Sequence, residues 1–185
     1  MYLLIRELIL MILIVIGIIA VLYFLFFRQW FLRLGVRKKE LSLVLPGDGL
    51  VVSPNMRYMQ AITINTPREI IWKYLIQVGY KRAGWYNLDF INRMTADNYF
   101  YENNKSADRI IPELQDLKEG DKIYLNPGLG MNVSSVKKDD LLLLTGYEDG
   151  KYVASWVYKL KKVDRDTTRI LVRWNSNQGD NIFFK

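Results

Sequence analysis

The chain has 185 residues, a formal net charge of +7, and neither cysteine nor histidine. It therefore cannot form disulfide bonds or thiolate metal sites, and it cannot use a cysteine nucleophile or a histidine base in catalysis. Residues 1–40 hold six basic and two acidic residues, so more than half of the excess positive charge lies in this N-terminal part. There the expected partner is anionic lipid, and we expect no nucleic-acid binding.

An apolar run from Leu8 to Phe27 predicts one transmembrane helix. The run has 20 uncharged residues, which at about 1.5 Å per residue match the roughly 30 Å hydrocarbon thickness of a bilayer. A cleaved signal peptide would have a shorter apolar region that ends in small residues, whereas this run ends in the aromatic stretch Tyr23–Phe27. A buried core helix would rarely be apolar on every face.

The charges on either side of this run predict its orientation. Arg6 is the one basic residue before it, and five basic residues follow it within twelve positions. Because basic residues favour the cytoplasmic side, we expect a single-pass protein of the cell membrane with its C-terminal domain in the cytoplasm. Trp30 and Phe31 fall where an interfacial aromatic belt would lie.

Residues 57–185 predict a single folded domain, which a linker at 41–56 connects to the anchor at 1–40. The linker is inferred because Leu45–Gly49 is rich in turn-forming residues. The Ile- and Thr-containing segment 57–65 is typical of a strand.

The next predicted element is a helix that begins at Thr66. Thr66 can cap it, Pro67 suits its first position, and Glu69 completes a capping box. Apolar residues then recur at helical spacing until Gly79, which is expected to end the helix. We expect a short second helix at 87–94.

After a polar loop at 97–106, the pattern changes to strands joined by short turns. Five strands are expected, at 121–125, 131–137, 141–147, 152–160 and 167–174. In the fourth of these, Tyr152, Ala154, Trp156, Tyr158 and Leu160 share one face by alternation. Helices segregated from a run of antiparallel strands indicate an α+β fold.

Several short motifs occur in an order that points to a known superfamily. They are Ala61–Pro67, Ile71-Trp72, Leu75–Tyr80, Gly84–Tyr86, Ser106–Glu113, Gln115–Asp121, Ser155-Trp156 and Thr168–Arg173. Over roughly residues 46–174 the chain resembles the SRPBCC (START-like, helix-grip) proteins, in particular the polyketide cyclase/dehydrase-like branch. The resemblance implies a curved antiparallel sheet that grips a long C-terminal helix around an apolar cavity. Only eleven residues follow Trp174 and 175–181 is polar, so we expect either that the gripping helix is missing or that the chain is a truncated version of a longer one.

Members of this superfamily bind lipids, hormones or polyketides, and a few catalyse cyclisation or dehydration, although a fold does not fix a function. The resemblance therefore implies a hydrophobic ligand, and the candidate ligand-binding residues are Trp85, Tyr86, Asp89, Arg109, Glu113 and Trp156. The Arg109 guanidinium could clamp an anionic group, or it could pair with Asp108 and pin a loop. The aromatic residues could line a cavity mouth, or they could be ordinary core.

The sequence thus predicts a membrane-anchored START-like module that binds a hydrophobic small molecule or lipid beside the bilayer. Two alternatives stay open: a cyclase- or isomerase-like enzyme that uses carboxylate and tyrosine acid–base chemistry, and an interaction module with a filled core. The sequence has no phosphate loop, dinucleotide fingerprint or zinc signature, so we expect no cofactor and no metal. No residue is assigned a catalytic role.

Overall fold

A computed structural model describes residues 2–86 and 105–177, and its central feature is one antiparallel sheet. The six strands lie in the order β1-β6-β5-β4-β3-β2 and curl into a half-barrel. The strands are β1 (Met56–Ile64), β2 (Lys122–Asn126), β3 (Leu129–Lys137), β4 (Leu141–Glu148), β5 (Lys151–Lys162) and β6 (Thr168–Ser176). The predicted α+β, helix-grip-like class is confirmed. The predicted helix at 87–94, most of the loop at 97–106 and the residues after Asn177 lie outside the described residues.

The N-terminal part is a long helical run. It consists of α1 (Tyr2–Leu22), a π-helical turn (Tyr23–Phe27) and α2 (Arg28–Phe31). Among the described helices, α1 is the one long and apolar enough to cross a membrane, over Ile5–Leu22, and none of that stretch is buried in the protein. It is therefore not a core helix of the domain.

The helix that follows β1 is shorter than the sequence predicts. This helix, α4, spans Arg68–Leu75. An earlier single helical turn, α3, spans Lys38–Leu41 and precedes β1. Pro67 occupies the N-cap position and no side chain caps the helix; the Thr66 hydroxyl instead donates to the Asn65 carbonyl over 2.8 Å. The capping prediction is therefore wrong.

The C-terminal end of α4 also differs from the prediction. Ile76 is the C-cap, and Gly79 adopts φ +131° and pairs with Gly84 in an isolated antiparallel bridge. The Gly79 amide donates to the Gly84 carbonyl over 3.1 Å. Because this bridge requires an extended backbone, the helix cannot continue to Gly79.

Thr66→Ala is expected to change the free energy of unfolding by less than about 0.5 kcal/mol, since it removes one exposed, local hydrogen bond. The matched control is Thr168→Val. The buried Thr168 hydroxyl donates to the Thr66 carbonyl over 2.8 Å, and its removal should cost about 1–3 kcal/mol. Chemical denaturation of the detergent-solubilised protein measures the free energy of unfolding of both variants. A loss of about 1 kcal/mol in Thr66→Ala, which is typical of a lost N-cap, would show that Thr66 caps the helix after all.

Both faces of the sheet are covered. On the helix face, defined as the face on which α4 packs, Trp72 and Leu75 contact a cluster from all six strands. The alternation predicted for β5 is confirmed for Ala154, Trp156, Tyr158 and Leu160, which all belong to this cluster.

The opposite face is covered by residues 32–51, which we call the strap. The amides of Met59 and Ala61 donate to the Leu32 and Leu34 carbonyls over 2.9 and 3.0 Å, so the strap begins by pairing with the β1 edge of the sheet. It then packs Leu45 into a second core cluster on this face. Most of the segment 41–56, which the sequence suggests as a linker, thus lies in contact with the sheet.

Two buried ion pairs connect the strap to β6. Glu40, 5% exposed, receives hydrogen bonds from the Arg169 guanidinium at 3.0 and 2.6 Å, and Arg169 is 7% exposed. Arg173 donates to Asp48 over 2.5 Å. The hydrogen bond from Arg169 lowers the pKa of Glu40 from 4.5 to about 2.

A glycine makes the first of these ion pairs possible. The Gly35 carbonyl also accepts from Arg169 over 2.7 Å. Gly35 adopts φ +71°, and a Cβ atom there would lie 2.1 Å from the Ala61 carbonyl oxygen. No residue with a side chain can follow this path so close to β1 without a shift of the backbone.

Candidate functional site

The helix face carries a continuous group of aromatic side chains. We define the aromatic wall as Tyr58, Trp85, Trp156, Tyr158 and Trp174. Trp85 stacks on Trp156 with ring centroids 5.3 Å apart and an interplanar angle of 17°. Trp156 also meets Trp174 edge-on at 5.4 Å and Tyr158 at 5.1 Å, so it lies at the centre of the wall.

Strand register explains how most of the wall assembles. Trp174 on β6 lies directly opposite Trp156 on β5 and Tyr58 on β1. Side chains at opposite positions of antiparallel strands have Cβ atoms about 4.5–5.5 Å apart, so their rings must interact. Trp85 enters from the segment after α4, where the Gly79–Gly84 bridge directs the chain back over the sheet.

Burial sets the electrostatics of the wall. It raises the pKa of Tyr58 and the pKa of Tyr158 well above the ordinary tyrosine range, so both phenols stay protonated at neutral pH. The indole nitrogens of Trp85 and Trp156 are buried, and neither has a hydrogen-bond partner among the described residues. Buried tryptophan N–H groups normally find an acceptor. The wall therefore presents two unused donors beside apolar ring faces.

For Tyr86, Arg109 and Glu113 the structure shows other contacts or exposed side chains. The Tyr86 hydroxyl accepts a hydrogen bond from the Gln77 amide, and its ring packs edge-on against Tyr74 at 5.8 Å. Arg109 and Glu113 have exposed side chains. Asp89 lies outside the described residues. Of the six predicted residues, the structure thus brings Trp85 and Trp156 into contact.

Asp108 interacts with two neighbouring cations, Lys105 and Arg109. Asp108 forms an exposed ion pair with Lys105, with 2.8 Å between Oδ2 and Nζ. This bond lowers the pKa of Asp108. The backbone also fixes this segment, because the Arg109 carbonyl accepts a hydrogen bond from Gln77 over 3.0 Å.

Gln77 is a structural residue that the sequence patterns did not single out. It is fully buried and uses both ends of its amide. Its nitrogen donates to the Tyr86 hydroxyl and the Arg109 carbonyl, and its oxygen accepts from the Ile111 amide at 3.0 Å and from Gln115 at 3.1 Å. One side chain thereby fixes residues 109–115 to the end of α4.

The described surface includes three openings that differ in size and lining. One, of about 70 Å³, lies near Trp174 at the ends of β3 and β4, and its volume suffices for a few water molecules. The second, of about 250 Å³, lies between α3 and the end of β5. The third, of about 400 Å³, lies between α2 and β1. Within residues 2–86 and 105–177, no group of three or more acidic side chains is close enough to hold a metal ion.

The solved structures that are similar to this chain share only 10–14% of their residues with it. No protein-family model and no curated protein matches the chain. The solved structure of PFC0360w, an HSP90 activator from Plasmodium falciparum, is 14% identical with a TM-score of 0.42, over 71% of this chain and 80% of that one. The Polyketide_cyc-like protein Cgl2372 from Corynebacterium glutamicum is 10% identical with a TM-score of 0.38, over 69% of each chain. EF2215 from Enterococcus faecalis, of unknown function, is 12% identical with a TM-score of 0.40, over 70% of this chain and 61% of that one.

Proposed function

We propose that the protein is a membrane-anchored START-like module that binds a hydrophobic small molecule or lipid against the aromatic wall. The observation that carries the proposal is the pair of buried indole N–H groups of Trp85 and Trp156, which have no acceptor among the described residues. The two indole rings stack on each other. An apolar ligand with a carbonyl or ester oxygen would cover the rings and accept these hydrogen bonds. The motif resemblance to the polyketide cyclase-like branch supports the same class of ligand.

The apolar N-terminal helix supports the anchoring part of the proposal. It is long enough to cross a bilayer and no part of Ile5–Leu22 is buried in the protein. The strap begins immediately after α2 and pairs with β1, so a spanning helix would hold the domain against the membrane surface. The basic residues that follow the helix favour a cytoplasmic domain.

The ionisable groups of the wall favour binding over catalysis. They are the phenols of Tyr58 and Tyr158, whose pKa values burial raises. A tyrosine whose pKa lies far above the working pH is a poor general base. We therefore place the cyclase- or isomerase-like alternative second.

A double variant tests the wall as the binding surface. Trp85→Phe with Trp156→Phe keeps aromatic rings but removes both indole donors, and we expect binding of the apolar dye anilinonaphthalene sulfonate to weaken by roughly five- to a hundred-fold. The measurement is fluorescence titration of the detergent-solubilised protein, with thermal unfolding as a check on folding. Native mass spectrometry of the wild-type chain should detect a retained apolar molecule that the variant loses.

Trp30→Phe is the matched control, since Trp30 is exposed beside the end of the apolar helix and its replacement should leave dye binding unchanged. Equal dye binding by the folded double variant would reject the wall as the site. A wild-type chain that carries no apolar molecule and binds no dye would favour the ligand-free interaction module.

A further inference from the structure

The opening of about 400 Å³ lies between the end of α2 and the β1 edge of the sheet, where Tyr58 of the aromatic wall also lines it. We call it the basic cleft. Its charged lining consists of Arg28, Arg33, Arg57 and Arg173, and its apolar lining includes Leu32 and Leu41. These residues come from three separate parts of the chain, and the pairing of the strap with β1 brings them together.

The guanidinium groups of the cleft outnumber the carboxylates that neutralise them. Arg173 is buried and donates to Asp48 over 2.5 Å. Arg57 lies 3.9 Å from the same carboxylate and is 53% exposed. The side chains of Arg28 and Arg33 have no hydrogen bond or ion pair to any other described residue. Four guanidinium groups thus face one contacting carboxylate, which leaves an excess of about three positive charges for a ligand.

The position of the cleft along the chain indicates where that ligand lies. Arg28 is the first charged residue after the apolar run that ends at Phe27. In a spanning helix, the residues directly after the run lie at the depth of the lipid headgroups. Trp30 and Phe31, next to Arg28, are exposed aromatic residues of the kind that occupy this depth. The cleft would therefore open toward phosphate groups of the bilayer.

We propose that the basic cleft binds the phosphate of an anionic phospholipid in the leaflet that the C-terminal end of the helix reaches. Arg28 and Arg33 hold the phosphate oxygens, because a guanidinium group can donate two parallel hydrogen bonds to a phosphate. Arg57 adds a third positive charge, and Leu32 and Leu41 contact the apolar part of the lipid. This inference rests on the anchoring part of the proposed function and does not use the Trp85–Trp156 pair.

Native mass spectrometry tests the assignment. The full chain is inserted into nanodiscs of phosphatidylcholine with a rising fraction of phosphatidylglycerol, and the phosphatidylglycerol molecules retained per chain are counted. We expect one tightly retained molecule. Arg28→Gln with Arg33→Gln should weaken retention by about five-fold for each arginine, or about 25-fold together.

A matched control separates a site from general attraction to charge. Lys38→Gln with Lys39→Gln removes the same charge from α3, whose lysines do not line the cleft, and retention should stay within about two-fold. Equal losses in the two double variants would overturn the cleft as a site. Displacement of the lipid by millimolar inorganic phosphate would show a site for soluble anions instead.

Failure of the cleft and failure of the proposed function give different results. A chain that washes off membranes in alkaline carbonate would overturn the anchor and this assignment with it. A firmly anchored chain without preference for phosphatidylglycerol would overturn the cleft alone. Retention of the lipid by Trp85→Phe with Trp156→Phe would support a site separate from the wall.

Discussion

Replacing Glu40 by alanine is expected to lower the free energy of unfolding by about 3–5 kcal/mol, because it leaves the buried Arg169 guanidinium without its counter-charge. Arg169 would retain only the Gly35 carbonyl and the Thr63 hydroxyl, at 2.7 and 3.2 Å. Denaturant unfolding of the detergent-solubilised protein, followed by tryptophan fluorescence, measures the loss. A loss below about 1 kcal/mol would show that the strap does not hold this ion pair in solution.

Two controls separate the effect of breaking the buried ion pair from the effect of removing a carboxylate elsewhere in the domain. Glu69 pairs with Arg68 at the exposed start of α4, so Glu69→Ala should leave the free energy of unfolding nearly unchanged, as is usual for surface pairs. Glu40→Met with Arg169→Met removes both charges together. This double variant should recover most of the stability, because no buried charge is left unpaired.

The same ion pair predicts how stability depends on pH. The folded-state pKa of Glu40 is about 2, below its ordinary value of 4.5, because Arg169 donates to the carboxylate. The stabilisation is therefore complete above about pH 4.5 and is lost as the pH falls toward 2. Unfolding measured across this range should show a shallower dependence on pH in Glu40→Gln than in the wild-type chain.

Local patterns were sufficient to predict the sheet. The alternation along β5 identified Trp156 and Tyr158 as neighbours on one face, and the structure places both in the aromatic wall. Pro127 and Gly128 separate β2 from β3, between the strands predicted at 121–125 and 131–137. Alternation and turn residues are properties of a few consecutive positions, so a single sequence reveals them.

The strap could not be predicted in this way, because its partners are far away in the chain. Glu40 and Arg169 are 129 positions apart, and Asp48 and Arg173 are 125 apart. Turn-rich composition made 41–56 resemble a linker. One signal was present, since Arg169 and Arg173 lie on the same face of β6, with Leu171 between them. Such arginines require buried partners, but the sequence does not name them.

Only part of the candidate site could be predicted, because it too depends on residues that are distant in the chain. Trp85 and Trp156 were both predicted as ligand-binding residues, but their stacking was not. It depends on the Gly79–Gly84 bridge, which directs the chain after α4 back over the sheet. Gln77 was overlooked because it interrupts an otherwise apolar run and its partners lie 9 to 38 positions away. Only the structure shows that a buried amide organises this end of the domain.

Gln77→Ala is expected to lower the free energy of unfolding by about 2–4 kcal/mol. The substitution leaves the Ile111 amide and the Arg109 carbonyl without partners, at about 1–3 kcal/mol for each buried group, and some of this cost is recovered if water enters. Gln77→Glu keeps the acceptor for Ile111 but lacks the donor for Arg109 and Tyr86. It also places a carboxylate at a fully buried position, so its loss of stability should be at least as large as that of Gln77→Ala.

Hydrogen exchange locates the effect and separates it from a general loss of stability. In Gln77→Ala the Ile111 amide should exchange much faster, whereas the Met59 amide, which is bonded to the Leu32 carbonyl on the opposite face, should lose only the protection that global destabilisation removes. Gln115→Ala is the control, since Gln115 is half-buried and supplies one of the four contacts of Gln77, and its loss should be about 1 kcal/mol. If Gln77→Ala and Gln115→Ala cost the same, water replaces the buried amide, and Gln77 does not hold residues 109–115 to α4.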